Sequence, residues 1–228
     1  MQNRYTGDIG DFGKLGLLRQ LSSSGFRIGV NWYLVPDENH NNDGRHISYL
    51  KKDSFCSCDG SLWRQLGKIV DSSIRRVSAL EESSILPATY YSRPLDFSGV
   101  EKSSRDALRW EWHCLAVEKL RGSEVVFVDP DNGLMVPSAV GTPKSNKFVL
   151  PQELVEYYHS GASVVYYQHK ARRPDDFYLA QHEELLASGA FPDSTGAGVK
   201  FISTSQRYYF FIIQPRHKAQ IEGTLSNM

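Results

Sequence analysis

The run Val125-Val126-Phe127-Val128-Asp129-Pro130-Asp131-Asn132-Gly133 constrains this chain more than any other stretch. In it, four apolar residues lead directly into two carboxylates and a carboxamide at a Pro/Gly turn. A short unbroken apolar run reads as a strand covered on both faces, as strands of parallel sheets are. Ligands of open α/β sheets collect beyond the carboxyl ends of such strands. The run therefore predicts a wound sheet and a site at Asp129.

The flanking patterns extend that sheet. Leu15, Leu18 and Leu21 recur at helical spacing between Phe12 and Ser22, with Asp8 and Asp11 as capping candidates and Gly25 as the stop. Arg27 to Val35 is β-branched and aromatic and ends at Pro36, which predicts a strand. Residues 37–46 are polar and rich in turn formers, hence a loop at a strand end. Leu62 to Val77 predicts a helix in one or two pieces, within a helical insertion around 53–85, and Ala88 to Ser92 a short strand. Ser103 with Asp106 resembles a capping box opening a helix to Leu120, with Leu108, Trp112, Leu115 and Ala116 inward. Residues 137–146, rich in Pro, Gly, Ser and Lys, read as a mobile surface loop. Pro151 opens a helix to about His159, Ser163 to His169 is a strand, and Asp175 to Ser188 a helix. Lys200 to Thr204 and Tyr208 to Gln214 form a terminal hairpin. Regular alternation of this kind predicts an α/β, Rossmann-like three-layer sandwich: one domain over 1–228, its sheet mostly parallel with a C-terminal antiparallel hairpin.

Composition excludes more than it identifies. A formal net charge of zero and a pI near 7.1 give no global field for a long duplex. The local clusters Lys170, Arg172, Arg173 and Arg64, Lys68, Arg75, Arg76 could still meet phosphates. Three cysteines, with Cys56 and Cys58 too close for a zinc knuckle, imply reduced thiols. No segment suits a signal peptide or a membrane span, so a cytoplasmic protein without a membrane partner is expected.

Three polar constellations compete for the chemistry, the first also readable as a turn that merely stops the strand and the third as an exposed hydrophilic loop. Asp129, Pro130, Asp131 and Asn132 can accept hydrogen bonds from an amino group or ligate a hard cation. Asp8, Asp11 and Lys14, among Gly7, Gly10 and Gly13, can meet a cofactor, metal or phosphate at a helix entrance, or simply cap the helix. The 37–46 loop offers Asp37, Glu38, His40, Asn41, Asn42, Asp43 and His46 as ligands for a ribose, a charged tail or a divalent ion.

The succession Tyr5-Thr6-Gly7-Asp8-Ile9-Gly10-Asp11-Phe12-Gly13-Lys14-Leu15, Asn31-Trp32-Tyr33-Leu34-Val35, Val128-Asp129-Pro130-Asp131, Val165-Tyr166-Tyr167-Gln168 and Ile212-Ile213-Gln214-Pro215 resembles a class I S-adenosylmethionine-dependent methyltransferase. It is most similar to the branch that methylates adenine in large-subunit ribosomal RNA and to three-Cys-motif partner proteins. There, a Gly-Asn-x-x-Asp-x-x-Lys-like helix precedes the first strand, Asp-Pro-Pro-Tyr ends the fourth, and an antiparallel strand closes the sheet. The resemblance implies that Asp129, Pro130, Asp131 and Asn132 are catalytic, with Asp129 and the Pro130 carbonyl accepting hydrogen bonds from an exocyclic amine. It implies S-adenosylmethionine beside Asp8, Asp11, Lys14, Asp37, Glu38, Asn41, Asn42, Asp43 and His46. Gln168, His169, Arg172 and Arg173 would contact a nucleic acid or nucleotide substrate.

This chain departs from the pattern twice. Val35 is followed by Pro36-Asp37-Glu38-Asn39 instead of a glycine-rich loop, and the family's second proline and aromatic are replaced by Asp131 and Asn132. The extra acid suits an alternative, a Mg-dependent nuclease or phosphohydrolase with Asp129, Asp131, Asp8 and Asp11 around the ion. A further alternative is a non-catalytic nucleotide-sensing module of mobile-element or defence origin.

Overall fold

The computed structural model describes residues 1–38, 44–203 and 205–228. The expected ligands His40, Asn41, Asn42 and Asp43 lie outside the described residues. The elements run α1 (Ile9–Ser23), β1 (Ile28–Asn31), α2 (Asp53–Cys58), α3 (Gly60–Asp71), α4 (Val77–Glu82), β2 (Ala88–Tyr91), α5 (Arg105–Lys119) and β3 (Val125–Val128). They continue with β4 (Gly133–Leu134), β5 (Phe148–Val149), α6 (Pro151–His159), β6 (Ser163–His169), α7 (Asp175–Ala187), β7 (Thr195–Ile202), β8 (Gln206–Ile213) and α8 (Lys218–Ser226).

The main sheet is six-stranded, in the order β2-β1-β3-β6-β8-β7. β1 pairs in parallel with both β2 and β3, and β3 with β6, while β8 runs antiparallel to both β6 and β7. The chain leaves β1 for β2 on one side and returns to β3 on the other. The carboxyl ends of β1 and β3 thus bracket the crevice where strand order reverses.

Alternate strand residues feed two cores, as a sheet covered on both faces requires. Val30, Phe127, Val165, Tyr209 and Phe211 pack with Leu15 and Leu18 of α1, Leu62 and Leu66 of α3, Leu80 of α4 and Ile221 of α8. Val126, Val128, Val164, Tyr166 and Phe210 pack with Trp112 of α5, Leu154 and Tyr157 of α6 and Tyr178 of α7. The result is the expected mixed α/β, Rossmann-like sandwich. The helices between 53 and 82 share the α1 core. Among the described residues no helix is long and apolar enough to cross a membrane.

Several local expectations need correction. β1 stops at Asn31, four residues short of Val35, because the Asn31 side chain accepts the Tyr33 N–H at 3.0 Å and Tyr33, fully buried, adopts φ 43. A left-handed bulky residue costs about 1–3 kcal/mol and turns the chain out of the sheet. Ser103, the expected cap, lies inside a 3-10 turn and α5 starts only at Arg105, so the capping box does not form; Leu115 points outward while Arg109 and His113 point in. Residues 137–147 hold two 3-10 turns with Ser145 and Asn146 buried, and are no simple surface loop. β7 begins at Thr195, five residues before Lys200, and α8 follows the hairpin unanticipated.

Candidate functional site

Helix α1 carries the first half of the site. Asp8 caps it, accepting from Gly10 N at 2.7 Å and Asp11 N at 3.2 Å. Two glycines on one face of α1 let the terminal hairpin come close: a Cβ at Gly10 would collide with the Arg207 guanidinium, and one at Gly13 would press on the Phe201 ring at 3.0 Å. The glycines expected to cradle a ligand therefore accommodate β7 and β8. One turn on from Gly10, Lys14 reaches the carboxyl end of β3.

There Lys14 Nζ meets Asp129 Oδ2 at 2.5 Å and Asp11 Oδ1 at 3.0 Å. All three side chains are buried. Burial disfavours the Lys14 ammonium, but the Asp129 and Asp11 carboxylates outweigh it and raise its pKa. Asp129 is pushed above the usual carboxylate range by burial, which Lys14 and the Met1 ammonium offset only in part. Asp8 is raised to about 6 by burial, with the Asp11 charge adding to it.

The segment after Asp129 is held from the other end of the chain. The Met1 amino group donates to the carbonyls of Tyr33 at 3.1 Å and Asp129 at 2.9 Å, bridging the crevice between β1 and β3. It also pairs with Asp131 Oδ1 at 2.7 Å, and Gln2 Nε2 donates to Asp131 Oδ2 at 2.6 Å. Burial alone would raise the Asp131 pKa; that ammonium, with Gln2 and Lys147, holds it below the ordinary value instead.

Around this core lies a cavity of about 420 Å³, within the range of small-molecule sites. It brings together Asp8, Lys14, Glu38, His46, Asp129, Pro130, Asp131 and Asn132, drawn from all three constellations read in the sequence, and His169, one of the expected substrate contacts. Asp11 sits behind the wall, accepting from Gly7 N at 2.7 Å and bound to Lys14. Asp37 accepts from Arg4 N at 3.1 Å and lines a neighbouring cavity of about 560 Å³, which shares Glu38, Lys144 and Lys147 with the first.

The expected substrate contacts separate. Gln168 is a brace: its carbonyl oxygen accepts from Leu134 N at 2.9 Å and its amide donates to the Asn132 carbonyl at 3.1 Å, so both ends are engaged by backbone. Arg172 and Arg173 are exposed on the turn before α7, outside the cavity lining, and Arg173 lies 5.4 Å from the Phe177 ring centroid. The four carboxylates of the metal alternative do not converge. Lys14 occupies the space between Asp11 and Asp129, and among the described residues no group of three or more His, Cys, Asp or Glu side chains could hold an ion.

Sequence reasoning missed the basic side of the cavity, namely Lys144, Lys147 and Arg207, together with Tyr167 and Ser205. Lys147 pairs with Glu38 at 2.5 Å. Arg207 had a signal: it is in phase with Tyr209, Phe211 and Ile213, the face of β8 that meets α1. An arginine in register with a core face is rarely left without a purpose. Compared with known proteins, the chain matches no family model and no curated protein.

Proposed function

We propose that this cavity serves a methyltransferase-like protein, dependent on S-adenosylmethionine, that acts on an amino group of a nucleic acid or nucleotide. One observation carries the reading. The strand-end Asp129-Pro130 pair opens into a cavity at the sheet's switch point, with Lys14 delivered to Asp129 by the helix that precedes the first strand. An antiparallel strand near the end of the sheet agrees with the same family pattern.

The donor set suits a zwitterionic nucleoside. Asp8 and Glu38 can face an ammonium, and Lys144, Lys147 and Arg207 a carboxylate. The sulfonium would supply an electrophilic methyl group. The chain's own part is to hold an amine: Asp129 and the Pro130 carbonyl accept its N–H groups, leaving the nitrogen lone pair free, and Lys14 keeps the Asp129 carboxylate oriented. Exposed free cysteines fit a cytoplasmic setting for this chemistry.

A second reading, a nucleotide-sensing module without transfer, is favoured by the Lys14 clamp on Asp129 and by Met1 across the crevice. Calorimetric titration with S-adenosylhomocysteine and AMP, followed by methyl-transfer assays on adenine-containing RNA, separates the two. Saturable binding of the homocysteine product plus turnover that is lost in Asp129→Asn supports transfer. AMP binding without turnover supports sensing, and binding of neither compound would sink both.

A further inference from the structure

Arg207 is 6% exposed, and its Nε has no hydrogen-bond partner. Among the described residues no carboxylate lies within ion-pair distance of its guanidinium, whose one hydrogen bond goes to the neutral Ser205 hydroxyl. Its guanidinium lies against Gly10 in the first turn of α1, where the helix presents its positive end. The Asp8 carboxylate that caps this turn attracts the guanidinium, as does Asp129 at the end of β3, but neither pairs with it directly. Burying an unpaired charge is unfavourable, so such groups normally have a partner. The fold nevertheless fixes this one in place: glycine at position 10 leaves the room, the Phe201 ring lies 5.8 Å away, and β8 holds the backbone between β6 and β7.

The same cavity holds a second uncommitted cation. Lys144 is exposed and, among the described residues, makes no ion pair, whereas the other lining charges are engaged: Lys14 with Asp129, Lys147 with Glu38, and Asp131 with the Met1 ammonium. Asp8 is satisfied by two backbone N–H groups. An entering ligand therefore meets, at Arg207, a guanidinium N–H that no acceptor of the cavity takes up, and this suits an oxyanion.

We propose that Arg207 receives an oxyanion, phosphate or carboxylate, carried by the ligand of this cavity, with Lys144 at the rim attracting the same charge. The inference rests on the cavity being a ligand site, as the preceding reading has it, but not on methyl transfer. Binding is read with no methyl donor present, so either idea can fail alone.

The test compares matched ligand pairs on the full chain by calorimetry. Adenosine against AMP isolates a phosphate, and 5′-methylthioadenosine against S-adenosylhomocysteine isolates the amino-acid tail with its carboxylate. The anionic member of one pair is expected to bind wild type at least about tenfold more tightly, the scale of a charge-assisted hydrogen bond. That preference should vanish in Arg207→Gln and shrink in Arg207→Lys, which keeps the charge without the planar fork. The AMP pair responding identifies phosphate, the homocysteine pair carboxylate. A structural role is read separately from ligand-free melting, where Arg207→Lys, which keeps the charge, is expected to stay close to wild type. Equal affinities within both pairs, or a preference that survives Arg207→Gln or is unchanged in Arg207→Lys, would overturn the proposal.

Discussion

Replacing Lys14 by methionine tests the centre of the site, because one ammonium there serves two buried carboxylates. Lys14 is 4% exposed and lies 2.5 Å from Asp129 and 3.0 Å from Asp11. Methionine keeps most of the volume, so packing changes little and the loss is electrostatic. Removing one partner of a buried pair costs about 3–5 kcal/mol, a large part of the roughly 5–15 kcal/mol that holds a domain folded. The loss depends on pH with a definite sign. Burial already lifts the Asp129 pKa in the fold, and losing Lys14 removes a group that lowers it. The folded variant therefore keeps a proton on Asp129 to higher pH than its unfolded chain does, and its stability rises as pH falls, by at most about 1.4 kcal/mol per pH unit for one proton. Urea unfolding of wild type and Lys14→Met at about pH 8, 6.5 and 5 should show a deficit that is largest at the alkaline end and narrows toward the acid end. A deficit under about 1 kcal/mol at pH 8, well short of a broken buried pair, or one of constant size across the range, would refute the reasoning.

Two further outcomes follow from the same electrostatics. Asp8 has its folded pKa raised to about 6 from 3.8, so the folded protein gains stability as pH falls through that window, by up to about 3 kcal/mol. Asp8→Asn keeps the cap acceptor, and melting curves between neutral and acid pH should show that gain reduced. Arg109 bonds both Glu153 oxygens, at 2.6 and 2.7 Å, and the carbonyls of Ser145 and Phe148. Arg109→Met should lose about 3–5 kcal/mol in urea unfolding and the double variant Arg109→Met/Glu153→Met much less, since the latter strands no charge. A double variant no more stable than the single one would contradict this.

What the sequence made legible were features that local chemistry decides. Pro151 at the first turn of α6 and the β-branched Ser163–His169 run set their boundaries directly. β1 was overread because strand-forming aromatic and branched residues continue through Trp32 to Val35, whereas the bond from the Tyr33 N–H to the Asn31 side chain ends the strand. The start of β7, Thr195-Gly196-Ala197-Gly198, has loop composition and is a strand only because β8 supplies its partners. In the site, the acids were visible because they end strands or cap a helix. Their counter-charges were not: Met1 and Gln2 belong to no periodic pattern, and Lys147 lies in a segment that composition alone marks as loop. Lys14 was visible as a residue type, but its partner lies 115 positions away.

The position of β8 between β6 and β7 has a kinetic consequence. β6 finds its second neighbour only after residues 206–213 are available, and β1 waits for β2 at residue 88 and β3 at residue 125. Each pairing closes a long loop before any hydrogen bond rewards it, which slows folding. During synthesis, at about 5–20 residues per second, the open edge of β6 stands exposed for seconds. Truncation ahead of β8 would leave Val164, Tyr166 and Gln168 with a naked backbone edge, and self-association through that edge is the expected fate of such fragments.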